Sequence, residues 1–63
     1  MEQKTRKIRA KLIREGWVLK RHGSSHDLYE HPAIRGTITL PRHPTVSPLV
    51  YRSIAKRAGW RLD

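Results

Sequence analysis

Two Gly-Trp pairs, Gly16-Trp17 and Gly59-Trp60, constrain the fold of this chain more than any other feature. Each follows a run patterned as a helix and reads as a helix stop. The glycine takes a left-handed turn, and the tryptophan folds back on the last turn. The first run, about residues 3–15, has good helix formers and no Gly or Pro before Gly16. Ile8 and Leu12 sit four apart with Ile13 adjoining, which defines one apolar stripe. Lys4, Lys7, Lys11 and Arg14 recur at three-four-three spacing on the opposite face. The second run, about residues 48–58, opens on Ser47-Pro48, an N-cap followed by proline at the first helical position. Its core face is Val50, Tyr51, Ile54, Ala55 and Ala58, with Arg52 and Lys56 opposite.

What lies between the two helical runs reads as short strands. Residues 17–22 read as a strand with Trp17 and Leu19 on one face, broken by Gly23-Ser24-Ser25. Residues 27–31 form a second strand ended by Pro32. Ala33-Ile34-Arg35-Gly36 carries a turn, and residues 37–40 alternate cleanly as a third strand ended by Pro41. The stretch Pro41-Arg42-His43-Pro44-Thr45-Val46 reads as a loop. Such short connections favour an antiparallel meander. The expected fold is α+β in the order α-β-β-β-α. Residues 1–63 form one domain with two helices on one face of a three-stranded antiparallel sheet. The other sheet face stays open to solvent or to a ligand.

A 63-residue chain buries only about 60% of its unfolded surface, so its function is expected on a surface rather than in a deep pocket. The absence of cysteine excludes a disulfide framework and a Cys-based zinc site. No apolar run approaches the ~20 residues of a membrane span. Met1-Glu2-Gln3-Lys4-Thr5-Arg6-Lys7 leads into no apolar signal segment, so a cytoplasmic protein is expected. Fourteen Lys and Arg against five Asp and Glu give a net charge of +9. Too few acids are present to pair with the bases, and nucleic acid is the default partner for such a balance. A membrane-surface helix fits less well, because the apolar stripe is narrow, lacks an aromatic and is needed for the core.

Among the histidines, His26 stands out. It follows the Gly-Ser-Ser turn and enters a strand, with Lys20 and Arg21 before it and Arg35 and Arg42 beyond. An imidazole beside cations that hold a phosphate is the minimum equipment for cleaving RNA: it moves a proton while the cations neutralise charge developing on phosphorus. The other histidines have plainer readings: His31 ends a strand, His43 orders a loop, and His22 is a solvated strand residue. His22 and His26 have the spacing of two helical metal ligands, but Gly23-Ser24-Ser25 argues against a helix there. No metal and no cofactor are expected. Of the aromatics, Trp17 and Trp60 are read as helix-end packing and Tyr51 as core. Tyr29 alternates with Leu28 and is expected to point out of the open sheet face, where it can stack on RNA.

The chain resembles the HicA family of toxin mRNA interferases. The likeness lies in Gly16-Trp17 after a basic helix, Gly23-Ser24-Ser25-His26-Asp27-Leu28-Tyr29 with His31-Pro32, and Leu40-Pro41-Arg42-His43. Ser53-Ile54-Ala55-Lys56-Arg57-Ala58-Gly59-Trp60 closes it. The resemblance implies a double-stranded-RNA-binding-domain-like fold and a metal-independent endoribonuclease acting on mRNA. It also implies neutralisation by a HicB-type antitoxin, whose acidic surface is expected to cover His26. The family's catalytic histidine falls on His26 and its motif serine on Ser25, while Ser24 takes the motif glycine's place with Gly23 one residue earlier. On this reading His26 is general base or general acid, and Arg21 or Arg42 stabilises the phosphorane. His43 is the best candidate for a second proton-transfer group. Lys4, Lys7, Lys11, Arg14, Lys20, Arg21, Tyr29 and Arg35 would hold the RNA. The alternative is a non-catalytic RNA-binding module on the same fold. A DNA-binding regulator is a third reading, weakened because the second helix offers few base-reading side chains beyond Arg52, Lys56 and Arg57.

Overall fold

A computed structural model of the chain describes residues 3–61. Met1 and Glu2, which open the segment read for a signal peptide, lie outside the described residues. The elements in chain order are β1 (Gln3–Lys4), α1 (Thr5–Arg14), β2 (Val18–His22), β3 (His26–Glu30), β4 (Thr37–Pro41), β5 (Thr45–Val46) and α2 (Pro48–Ala58). The main elements run α-β-β-β-α, as expected. The three-stranded sheet is antiparallel in the order β2-β3-β4.

Both Gly-Trp pairs are helix stops. At the end of α1, Gly16 adopts φ +99°, its N–H donates to Ile13 O (3.1 Å), and the Trp17 N–H reaches Leu12 O (2.9 Å). At the end of α2, Gly59 adopts φ +80° and the Trp60 N–H reaches Ala55 O (2.8 Å). These bonds satisfy carbonyls that a bare helix end leaves orphaned. Ser47 caps α2 by accepting from the Val50 N–H.

Two local expectations are corrected. The first helix begins at Thr5 rather than near residue 3, and the stretch after Pro41 is not all loop. Gln3 and Lys4 are extended and pair antiparallel with Val46 and Thr45 in a two-stranded ladder. Lys4 offers α1 no side-chain cap. The Thr5 N–H instead donates to Pro44 O (3.0 Å), and the Thr5 hydroxyl donates to His43 O. The returning chain thus does the work of a cap.

The core lies between the sheet and the helices. Ile8 and Leu12 of α1, Ile54 of α2, Ile38 and Leu40 of β4, Tyr29 of β3, and Trp17 and Val46 form one buried cluster. Val50, Tyr51 and Ala58 pack against it half-buried, as the α2 pattern requires. β2 is an edge strand with all five residues exposed. Leu19, opposite Tyr29, is therefore 47% exposed while Trp17 is buried.

Gly16 and Gly59 share a left-handed conformation but not their surroundings. A Cβ on Gly16 would sit 2.9 Å from His31 Nε2, whereas one on Gly59 meets nothing within 4 Å. Gly59→Ala is expected to cost about 1–2 kcal/mol, the ordinary penalty of a left-handed alanine. Gly16→Ala should cost clearly more. Urea midpoints of the two variants check this, and equal midpoints would show that the His31 contact carries no energy.

Candidate functional site

Residues directly opposite in an antiparallel sheet share a face. Asp27 lies opposite Leu40, and Tyr29 opposite Ile38; all four are buried under the helices. Leu28 lies opposite Thr39 on the open face, and His26 opposite Pro41 at the sheet's end. A register shift between Leu19 and Arg21 places Arg21 opposite Leu28 and His22 opposite Asp27. Such a bulge re-aims the side chains that follow it. Arg21 is thereby brought to the open face with His26, and His22 turns toward the helix side.

His26 is exposed at the first position of β3. Its Nδ1 lies 3.0 Å from Ser25 Oγ, which leaves Nε2 as the nitrogen available for proton transfer. A shallow groove of ≈ 330 Å³ opens beside it, lined by Arg21, Gly23, Ser24, Ser25, His26, Leu28 and Thr39. The turn that carries His26 is closed by the Gly23 N–H donating to His26 O (2.9 Å). A Cβ on Gly23 would come within 2.8 Å of that same oxygen, so only glycine fits.

Arg42 holds this turn from the neighbouring strand end. Its backbone N–H donates to Ser25 O (3.1 Å), its Nη2 donates to Gly23 O, and its Nε donates to Asp27 Oδ1 (3.0 Å). Asp27, 6% exposed, also lies 3.0 Å from His22 Nδ1. Neither His22–Asp27 nor Asp27–Arg42 was read from the sequence; a lone acid after His26 gave no sign of its partners.

A second groove, of ≈ 470 Å³, runs beside the start of α1, lined by Lys4, Thr5, Arg6, Arg9, Arg42, His43, Pro44 and Thr45. His43 belongs to this groove and does not line the one at His26. Arg6 and Arg9 add charge here, beyond the Lys4, Lys7, Lys11 and Arg14 face expected from the spacing. Lys4, Lys7, Lys11, Arg14, Lys20 and Arg35 are all exposed. Lys11 has its Nζ 4.5 Å over the Trp60 ring, a cation–π contact between the helix ends.

Tyr29 is the clear correction. It faces the helices, 2% exposed, and cannot stack on RNA from the open sheet face. The alternation was right but its phase was inverted, because the buried polar neighbour is Asp27 and the outward apolar one is Leu28. His31 also proves structural. The Ala33 N–H donates to its Nδ1 (2.9 Å), so its Nε2 carries the proton donated to Glu15 O (2.8 Å). Its ring meets Trp17 edge-on at 5.2 Å.

Among the described residues, no group of three or more His, Cys, Asp or Glu side chains could hold a metal ion. No described helix is long and apolar enough to cross a membrane.

The fold and the surface around His26 define a small basic α+β domain with an exposed histidine at the sheet's end. Residues 5–60 match the sequence profile of the HicA toxin of bacterial toxin–antitoxin systems. The chain belongs to the HicA toxin family, and a toxin–antitoxin role with an antitoxin partner follows. No curated protein matches it.

Burial raises the Tyr29 phenol above its ordinary value of 10.0, and Asp27 adds to the rise while Arg9 opposes it. The folded state thus retains this proton after the unfolded chain has lost it. The resulting stability is fully present below the unfolded value and is lost as pH rises through the folded one. Urea unfolding of the wild type should show stability falling as pH climbs past about 10, the ordinary phenol value. Tyr29→Phe should flatten that part of the slope; an unchanged slope would show that Tyr29 is not the group responsible.

Proposed function

We propose that this toxin is a metal-independent endoribonuclease that cleaves mRNA, with His26 as its proton-transfer group. The observation that carries the reading is the exposed His26 imidazole, held through Nδ1 by Ser25 at the mouth of a groove that Arg21 also lines. RNA would lie across the open sheet face and along α1, its phosphates met by Arg21 and by the exposed Lys4, Lys7, Lys11, Arg14, Lys20 and Arg35. Such contacts hold the backbone without reading sequence. His26 Nε2 takes the proton of a 2′-hydroxyl or supplies one to the leaving 5′-oxygen. The attacking 2′-oxygen bonds to phosphorus, the P–O5′ bond breaks, and a 2′,3′-cyclic phosphate and a 5′-hydroxyl remain. Arg21 neutralises charge gathering on the phosphorane.

The antitoxin is proposed to be of HicB type, presenting an acidic surface that covers His26. A net charge of +9 on 63 residues favours fast, salt-sensitive association with such a partner. The toxin is proposed to act in the cytoplasm, where mRNA is found.

In excess EDTA the wild-type protein is expected to cut RNA and leave cyclic phosphate ends. His26→Ala should retain its fold and RNA binding but cleave about 10²–10⁴-fold more slowly. A folded His26→Ala protein that cuts as fast as wild type would remove His26 from the chemistry. Binding by both proteins without new RNA ends would make the domain a non-catalytic RNA-binding module.

A further inference from the structure

We infer that Asp27 is a positioning residue for His26: its buried carboxylate holds the Arg42 guanidinium against the Gly23 carbonyl and so fixes the turn from which the imidazole projects. The inference rests on the proposed role of His26 and assigns a function to two neighbours that touch no substrate.

Asp27 faces the helix layer, on the side of the sheet away from the groove at His26. It cannot meet RNA lying in that groove. A buried carboxylate needs a committed partner, because its charge is expensive to leave unpaired. Arg42 supplies one and uses the rest of its fork elsewhere: Nε donates to Asp27 Oδ1 at 3.0 Å, while Nη2 donates to Gly23 O. A planar guanidinium makes both bonds at once; a lysine ammonium has no such fork.

These contacts converge on one short turn. The Gly23 carbonyl is held by the Arg42 side chain, the Ser25 carbonyl by the Arg42 backbone, and the His26 carbonyl by the Gly23 N–H. Three carbonyls of residues 23–26 are therefore fixed, and Ser25 then reaches His26 Nδ1 with its hydroxyl. Without Asp27, the guanidinium loses the anchor that aims it at Gly23. The same engagement makes Arg42 a positioning group rather than a phosphate ligand.

The experiment uses the full chain carrying Asp27→Asn, Arg42→Lys, or both, at temperatures where urea unfolding shows each to be folded. Single-turnover and steady-state RNA cleavage in EDTA is combined with the NMR signal of the His26 ring. Each single variant should lower kcat by about 10-fold to 10²-fold, the effect of a misplaced reacting group. KM should stay within about twofold, because RNA binding is untouched. The double variant should be no slower than the slower single one, since both break one linkage. The His26 ring signal should move in both single variants.

A rise in KM at unchanged kcat for Arg42→Lys would overturn the inference and make Arg42 an RNA ligand. Losses that multiply in the double variant would overturn it as well, by showing two independent roles. Should Asp27→Asn fail to fold, Arg42→Lys still decides, because it keeps a cation beside the carboxylate and removes only the fork. Should the wild type cut no RNA, the endoribonuclease reading falls by itself. The ring signal then tests Asp27 alone, and an unmoved signal in both variants sinks the positioning role.

Discussion

The structure hangs on Glu15, where α1, the sheet and the chain beyond α2 are tied together. Its backbone carbonyl accepts from His31 just beyond the end of β3, and its side-chain carboxylate accepts from Trp60 Nε1 (2.6 Å) beyond the end of α2. The next two residues, Gly16 and Trp17, turn the chain and seat an indole in the core against the same His31. In a domain without disulfides this joint does what covalent staples do elsewhere: it fixes both helix ends to the sheet. Tyr51 and Lys11 pack on Trp60 and close the arrangement.

The joint also determines where function can lie. β3 runs from His26 toward the joint, and α1 runs toward it from the Lys4–Thr45 ladder. The far end of the molecule thus collects the start of α1, the turn at residues 23–25 and the end of β4, with Arg42 spanning the two grooves there. Exposed basic side chains lie at both ends, with Lys11, Arg14, Lys56 and Arg57 in the last turns of the two helices, but His26 and its turn lie at the end away from the joint. Glu15 serves the joint, and Asp27 holds the Arg42 guanidinium and meets His22 Nδ1. Most of the positive charge stays uncompensated and available to an anionic partner.

Features set by neighbouring residues were legible in the sequence. The Gly-Trp stops, the Ser47-Pro48 cap and the alternation of Ile38 and Leu40 each follow from local rules, and each stands in the structure. So does the exposure of His26 after its turn. What was hidden depends on distant pairing. The Gln3–Lys4 strand exists only because Thr45–Val46 returns beside it. Tyr29 is inward because Asp27 has Arg42 and His22 to satisfy its charge, which lets a polar residue occupy an inward position and sends Leu28 out. The irregularity between Leu19 and Arg21 leaves no mark in composition, yet it decides which of Arg21 and His22 shares a face with His26.

So small a chain needs a particular device to present an oriented imidazole. A domain of this size has no interior to spare for a pocket, so rigidity must come from hydrogen bonds at the surface. Loops at sheet ends are ordinarily the loosest part of a domain. Here the loop is three residues long, its glycine tolerates no Cβ, and the Gly23 carbonyl is held by a guanidinium whose own anchor is buried. The desolvated carboxylate converts part of the folding energy of the core into order at the rim. The chain can therefore leave His26 open to a long polymeric ligand, or to a protein that covers it, without leaving it loose.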